Sequence, residues 1–118
     1  MFPIVLYLSG PMSGLPEYNY PAFFEAEDAL LSQRYCVLNP ARTNVPKGSP
    51  WEEFMRDALR KMMGADAVVV LPGWEASRGA RVEVHLAEIL GMPILQYPSF
   101  KQLDKALEHG QKNDENSA

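Results

Sequence analysis

Short apolar runs alternate with longer amphipathic stretches along the chain. Apolar residues recur at helical spacing in stretches that begin near Asn19 and Ser49, and again over residues 77–90, so we predict three helices there and a fourth over residues 100–108. The apolar runs between them are short and uninterrupted, which is typical of buried strands. These predicted strands span residues 3–8, 35–38, 67–71 and 93–97.

The order β-α-β-α-β-α-β-α predicts an α/β fold in three layers. Strands that are apolar on both faces indicate a parallel sheet of four or five strands, covered by helices on both sides and joined by right-handed crossovers. Residues 68–70 are expected in a central strand. Ligands of such sheets bind beyond the carboxyl ends of the strands. The loops expected at that edge span residues 9–18, 39–49, 72–77 and 97–99.

Glu83 looks misplaced in the third helix. On a helical wheel it falls within a broad apolar face, in line with Ala87 and Leu90. An unpaired carboxylate in apolar surroundings costs several kcal/mol. A salt bridge with Arg78 or Arg81, or a helix rotated from the wheel, would make Glu83 structural, whereas a desolvated carboxylate at the ligand edge would be a nucleophile or general base. The predicted apolar face consists of Ala80, Val82, Val84, Leu86, Ala87, Ile89 and Leu90.

Composition restricts the partners. The 118 residues fit one domain, for which we expect residues 1–109, followed by a polar and disordered tail at 110–118. A net charge of −4 and a pI near 5.1 argue against nucleic acid as a partner. No run approaches the roughly 18 apolar residues of a membrane helix, and the first residues lack the basic region of a signal peptide. A single cysteine, Cys36, in an apolar run fits a core position and a reducing, cytoplasmic location.

Three stretches carry a family resemblance: YLSGPMSG, W…FMRDAL and ADAVVVLPGWEASRGARVEVHLAEILGMPI. They resemble the nucleoside 2-deoxyribosyltransferase-like superfamily, and within it a small bacterial and phage branch of largely unknown function that is related to 2′-deoxynucleoside 5′-monophosphate N-glycosidases. The resemblance implies a flavodoxin-like, Rossmannoid sheet. It also implies cleavage or exchange of the N-glycosidic bond of a nucleoside or its 5′-monophosphate, without a cofactor. Glu83 matches the glutamate that attacks C1′ of the sugar in the characterised relatives.

The resemblance assigns further positions. Tyr7 matches a tyrosine that contacts the nucleophile, although a packed core tyrosine is an equal alternative. Gly10 matches a glycine that lines the sugar pocket. Ser77, which is also the predicted cap of the third helix, and Gly79 match a loop that holds the 5′ end of the substrate. Asp57 lies one position from the expected place of a family aspartate, so it is either catalytic or a solvated residue on the helix flank.

The match is weakest where the relatives hold a phosphate. Pro11 and Ser13 stand where the monophosphate hydrolases have a serine and an arginine, which leaves Ser13, Ser77 and Arg78 as anion ligands. His85 and His109 lack a third ligand at metal spacing, so we expect no metal. Asn19 is alternatively a helix cap, and Trp74 a lid over the core. The side chains that could frame a flat base are Met12, Tyr18, Asn19 and Trp74.

Three functions remain open from the sequence. The first is an N-glycosidase or deoxyribosyltransferase acting on a small nucleoside or nucleotide. The second is a non-catalytic module that senses or sequesters a nucleotide, and the third is a phosphoribohydrolase of the lysine-decarboxylase-like type, whose double-glycine loop is absent here. We also expect a homodimer or larger oligomer, because relatives complete the pocket with a neighbouring subunit. The second helix has more apolar residues than one buried face needs: Trp51, Phe54, Met62 and Met63.

Overall fold

The computed structural model describes residues 3–99. The predicted helix at 100–108 and the tail at 110–118 lie outside the described residues. Two short 3-10 turns that the sequence did not predict, Pro16–Asn19 and Trp74–Ala76, follow the first and third strands. The strands are β1 (Val5–Ser9), β2 (Cys36–Leu38), β3 (Ala67–Val70) and β4 (Ile94–Gln96), and the helices are α1 (Tyr20–Ser32), α2 (Trp51–Met62) and α3 (Arg78–Ile89).

The four strands form one parallel sheet in the order β2-β1-β3-β4. The predicted parallel sheet is therefore confirmed, and residues 68–70 lie in β3, between β1 and β4. Tyr7 pairs with Val68 and Ser9 with Val70, so the carboxyl ends of β1 and β3 finish side by side. This register brings the loops that follow β1 and β3 to the same edge of the sheet.

The two faces of β1 serve different layers, because successive side chains of a strand point to opposite faces. Leu6 and Leu8 pack with Phe23, Ala26 and Leu30 of α1. Tyr7, on the other face, joins a second core between the sheet and helices α2 and α3. The three-layer arrangement thus follows from the alternation along β1. The second core is formed by Tyr7, Ala58, Met62, Val68, Val70, Val84 and Ala87.

The buried face of α3 is narrower than the wheel predicted. Val82, Ile89 and Leu90 are exposed, so their assignment to the core face was wrong. At about 100° per residue, Val82 and Ile89 point away from the direction shared by the buried positions. Glu83 nevertheless lies on the buried face, as expected, although at one side of it and not in the middle. The buried residues of α3 are Ala80, Glu83, Val84 and Ala87.

The burial of Met62 and Cys36 differs from what the sequence predicted. Met62 is fully buried in the second core and therefore belongs to no surface patch, whereas Met63 is exposed. Cys36 is half-buried on the edge strand β2, not a fully enclosed core residue.

Over residues 3–99, each helix is too short or too polar to cross a membrane.

Helix α3 has one valine on its buried face, Val84, and one on its exposed face, Val82, so the same substitution can be compared at both positions. Val84→Ala should lower the free energy of unfolding by about 1 kcal/mol, because two buried methyl groups are lost and Ala recovers part of that through its helix propensity. Val82→Ala removes the same atoms from an exposed position and should leave stability unchanged or raise it by up to about 0.5 kcal/mol. Urea unfolding measures both. Equal destabilisation by the two substitutions would show that this face assignment is wrong.

Candidate active site

Side chains from β1 and α3 meet at the carboxyl edge of the sheet. The Tyr7 hydroxyl donates a hydrogen bond to Oε2 of Glu83, and the Ser9 hydroxyl donates one to Oε1 at 2.6 Å. All three side chains are buried, with Glu83 only 5% exposed. We call Tyr7, Ser9 and Glu83 the carboxylate cluster. The expected proximity of Tyr7 and Glu83 is found.

Burial dominates the ionisation of this cluster. Loss of solvent raises the pKa of Glu83 from 4.5 to about 7, although the hydrogen bonds from Ser9 and Tyr7 each pull it down. Burial also raises the pKa of Tyr7 well above its usual value, and the charge of Glu83 raises it further. Tyr7 therefore stays a hydrogen-bond donor at neutral pH, whereas Glu83 is present in both its acid and its ionised form.

The hydrogen-bond partners of Glu83 differ from the arginines that the salt-bridge interpretation requires. In the described part of the chain its carboxylate is held by two neutral hydroxyls, while Arg78 and Arg81 are exposed on the helix surface. A charge without a counter-ion is more reactive than one neutralised by an arginine. Each carboxylate oxygen accepts one hydrogen bond here and keeps a lone pair for a second partner. The ionised cluster can thus act as a nucleophile or a base.

The loops after β1 and β3 touch each other beside the cluster. A Cβ on Gly10 would lie 2.9 Å from Cβ of Leu71, so only glycine lets the ends of β1 and β3 run this close. Gly73 has a positive φ of +87°, and a Cβ there would lie 3.4 Å from Cγ of Pro11. These two contacts join the segments 9–18 and 72–77 into one edge, as the sequence predicted.

The start of α3 is fixed by its cap and by α2. The Ser77 hydroxyl accepts a hydrogen bond from the Ala80 amide at 3.2 Å, which confirms Ser77 as the N-cap. A Cβ on Gly79 would lie 3.0 Å from Sδ of Met55, so this glycine allows α3 to approach α2 closely. The Arg78 guanidinium lies 3.8 Å from the centroid of the Trp51 ring. Ser77 and Arg78 remain the groups at this helix end that could meet an anion.

The predicted base-framing residues are dispersed. Met12 packs against the core on the α1 side, on the face of the sheet opposite the carboxylate cluster. Trp74 packs on the same side as the cluster. Asn19 precedes α1 at the N-cap position, but its side chain makes no capping hydrogen bond, and its amide donates instead to the Pro11 carbonyl at 2.9 Å. Ser13 and Tyr18 are exposed.

Asp57 lies near the cluster without being hydrogen-bonded to it. Its Oδ2 accepts hydrogen bonds from Thr43 at 2.8 Å and from Lys61 at 2.6 Å. Partial burial raises the pKa of Asp57, but these two bonds and the nearby positive charges together hold it below its ordinary value. Its helix α2 packs on the same side of the sheet as Tyr7, through Ala58 and Met62, and the charge of Asp57 is the smallest of the causes that raise the pKa of Tyr7. Asp66, by contrast, accepts from the Val5 amide at 2.8 Å, at the opposite edge.

Ser9 is the member of the cluster that sequence reasoning missed. The sequence predicts it as the first residue of the loop at 9–18, with no role of its own. A signal was present, since Ser9 follows Tyr7 by two positions and the two must share a face if the strand continues. A polar residue at the end of a fully buried strand, on the same face as a tyrosine, indicates a polar partner on the facing helix.

No group of three His, Cys, Asp or Glu side chains in residues 3–99 could hold a metal ion. A shallow, open apolar groove lies between α2 and α3, and its lining does not include the carboxylate cluster. Its lining consists of Arg56, Leu59, Arg60, Met63, Leu86 and Leu90.

Comparison with known proteins supports the fold. The model of the family described as "Domain of unknown function (DUF4406)" matches residues 4–96. The structure is similar to that of a 2-deoxyribosyltransferase from Bacillus psychrosaccharolyticus, with a TM-score of 0.63, 20% sequence identity, and coverage of 78% of this chain and 70% of that one. At this identity the likeness establishes a flavodoxin-like fold of the deoxyribosyltransferase type. No curated protein matches the chain.

The raised pKa of Glu83 makes stability depend on pH in a defined direction. The folded protein binds the Glu83 proton more tightly than the unfolded chain, so this stabilisation is full below pH 4.5 and is lost as the pH rises through about 7. Glu83→Gln cannot lose that proton. Between pH 5 and 8 the variant should therefore gain on the order of 2 to 3 kcal/mol of stability relative to the unmodified protein.

Urea unfolding at the two pH values measures this gain. Glu88→Gln, an exposed glutamate on the same helix, is the control and should follow the unmodified protein at both pH values. If Glu83→Gln also follows it, the carboxylate is not held in a desolvating environment.

Proposed function

The chain belongs to the DUF4406 family of domains of unknown function, and we propose that it cleaves or transfers the N-glycosidic bond of a nucleoside or nucleoside 5′-monophosphate. One observation carries this proposal. In residues 3–99 the buried Glu83 carboxylate is paired with hydroxyls and not with a cation, and it lies at the carboxyl ends of the strands, where parallel sheets bind ligands. The 2-deoxyribosyltransferase of similar fold supports the class of reaction.

In the proposed reaction Glu83 is the nucleophile. One carboxylate oxygen forms a bond to C1′ of the sugar as the C1′–N bond breaks, and the departing base takes the electron pair of that bond and then a proton from solvent. Positive charge on the sugar builds up in the transition state, so an ionised Glu83 stabilises it. Water, or the nitrogen of a second base, then attacks C1′, and the ester bond breaks to restore the carboxylate.

Tyr7 orients the nucleophile in this scheme. Its hydroxyl remains protonated because burial raises its pKa, so it keeps donating to Oε2 while Glu83 ionises. Ser77, Arg78 and Ser13 are the groups proposed to meet the 5′ end of the substrate. Gly10 and Gly79 are proposed to line the pocket, although close packing already requires small residues at both positions.

Asp57 and the residues expected to frame the base belong to the proposed site without a hydrogen bond to Glu83 in the described part of the chain. Asp57 would act through its charge near Tyr7, since both of its observed hydrogen bonds engage protein donors. Trp74, which packs on the same side of the sheet as the cluster, and Asn19, which is hydrogen-bonded to Pro11 in the loop after β1, are proposed to contact the base. Met12 would require a rearrangement of the first loop, because it packs on the α1 side.

Removing the charge of Glu83 tests the proposed enzymatic activity most directly. Glu83→Gln keeps the shape of the side chain but cannot form the sugar ester or neutralise an oxocarbenium-like transition state. Turnover should fall by at least about a hundredfold, the scale on which one transition-state charge partner acts. Base release from a panel of deoxy- and ribonucleosides and their 5′-monophosphates, followed by chromatography, measures this, and Glu88→Gln should retain full activity.

The same panel distinguishes the alternative of a binding module. The engagement of Asp57 by Thr43 and Lys61 favours that alternative, since it leaves Glu83 without a second free carboxylate. If the unmodified protein releases no base but binds a nucleoside, and Glu83→Gln weakens that binding, the chain is a nucleotide-binding module. Full activity in Glu83→Gln would exclude the proposed nucleophile.

A second copy of the chain is the proposed partner. The groove between α2 and α3 presents Leu59, Met63, Leu86 and Leu90. Helix α2 is acidic in its first turn and basic in its last, so two copies packed antiparallel across a twofold axis would place opposite charges together. This arrangement would cover the groove, whose lining includes none of the residues of the carboxylate cluster.

The proposed dimer can be disrupted at exposed positions. Met63→Glu and Leu90→Glu place a charge at residues that are 52% and 54% exposed in the single chain, so they should leave folding intact and yield monomers. Leu31→Glu, on the opposite side and 50% exposed, is the control and should remain dimeric. Light scattering at micromolar concentration measures the mass. A 13.2 kDa particle for the unmodified protein would refute the dimer.

A further inference from the structure

Ser9 has an environment that packing alone does not explain. It is fully buried, ends β1, and faces α3 across the sheet surface. A buried hydroxyl at this position is costly unless it is hydrogen-bonded, and its partner is Oε1 of Glu83 at 2.6 Å. Alanine would satisfy the packing of a small buried site without that cost.

The two residues of β1 hold different oxygens of the same carboxylate. Tyr7 and Ser9 share a face of the strand, with Tyr7 reaching Oε2 and Ser9 reaching Oε1. Two donors on separate oxygens fix the plane of the carboxylate as well as its position, which a single donor cannot do. Glu83 can therefore meet a substrate atom in one orientation only.

We propose that Ser9 is a positioning residue for Glu83, which orients its carboxylate and favours its ionised form by donating to Oε1. Ser9 acts through Glu83 and does not touch the substrate. This deepens the function proposed above and rests on it for the effect on turnover. The effect on the ionisation of Glu83 does not depend on any activity.

The other groups around Glu83 do not take the place of Ser9. From β1, Tyr7 donates to the other oxygen. From α2, Asp57 acts on Tyr7 and is paired with Lys61. The strand β3 contributes aliphatic side chains to this side of the sheet. On α3 itself Arg78 and Arg81 are exposed.

Loss of the Ser9 hydrogen bond should raise the pKa of Glu83. The Ser9 hydrogen bond lowers the pKa of Glu83 against the effect of burial. Without it, Oε1 has no hydrogen-bond donor among residues 3–99, and the acid form becomes more favourable. In Ser9→Ala the pKa of Glu83 should rise above about 7 by roughly one to two pH units, the scale of one hydrogen bond to a charged group.

Carbon-13 NMR of protein labelled at the glutamate carboxyl carbons tests this directly. The Glu83 signal is identified by its absence in Glu83→Gln, and its titration is compared in the unmodified protein, Ser9→Ala and Ser9→Thr. The expected result is a higher titration midpoint in Ser9→Ala and a midpoint restored towards the original in Ser9→Thr, which keeps the hydroxyl. Ser32→Ala removes a hydroxyl that binds the Asp28 carbonyl and should change nothing.

A second test of Ser9 measures the turnover of whichever substrate the nucleoside panel identifies. In Ser9→Ala, kcat at pH 6 should fall by roughly tenfold or more, with KM nearly unchanged, and should recover in part at pH 9. High pH restores the ionised fraction of Glu83 but not the orientation of its carboxylate. A purely structural serine predicts an equal loss at every pH. If Ser9→Ala does not fold, Ser9→Cys, a weaker donor of similar size, should show a smaller shift in the same direction.

An unchanged Glu83 midpoint in the folded variant would overturn the proposal. Failure of the unmodified protein to release any base would instead count against the enzyme, and would leave the titration as the test of Ser9.

Discussion

The desolvation of one carboxylate is the constraint on which this structure depends. Glu83 lies on the buried face of α3, where apolar residues precede and follow it at helical spacing. A free-energy cost of this kind persists only where neighbouring groups reduce it or a function requires it. Here β1 supplies two hydroxyls that reduce the cost without cancelling the charge. The remaining cost appears as the raised pKa of Glu83.

The strand β1 meets two demands because its side chains alternate. Leu6 and Leu8 anchor the core beneath α1, and Tyr7 and Ser9 face α3. A shift of one residue in the pairing of β1 would exchange the two sets and bury the leucines against the carboxylate. The parallel pairing of β1 with β3 thus defines the core and the position of the cluster together.

The sequence predicted what depends on local pattern and missed what depends on distant partners. The strands were found because short, uninterrupted apolar runs are unambiguous, and Glu83 was found because a charge interrupts a helical face. Val82 and Ile89 were misassigned because the predicted apolar face was too broad, and at about 100° per residue both point away from the buried positions of α3. Ser9 was missed because its partner lies 74 positions away, and the pairing becomes visible only when α3 packs on β1.

The loop after β2 shows how the edge around the cluster is kept in place. Arg42 forms two hydrogen bonds with the buried Glu27 on α1, at 2.8 and 2.6 Å, on one side of the sheet. The next residue, Thr43, donates to Asp57 on α2, on the other side. Adjacent residues thus connect the loop to both helical layers. The loop after β2 thus fixes the position of Asp57, whose charge is the smallest of the causes that raise the pKa of Tyr7.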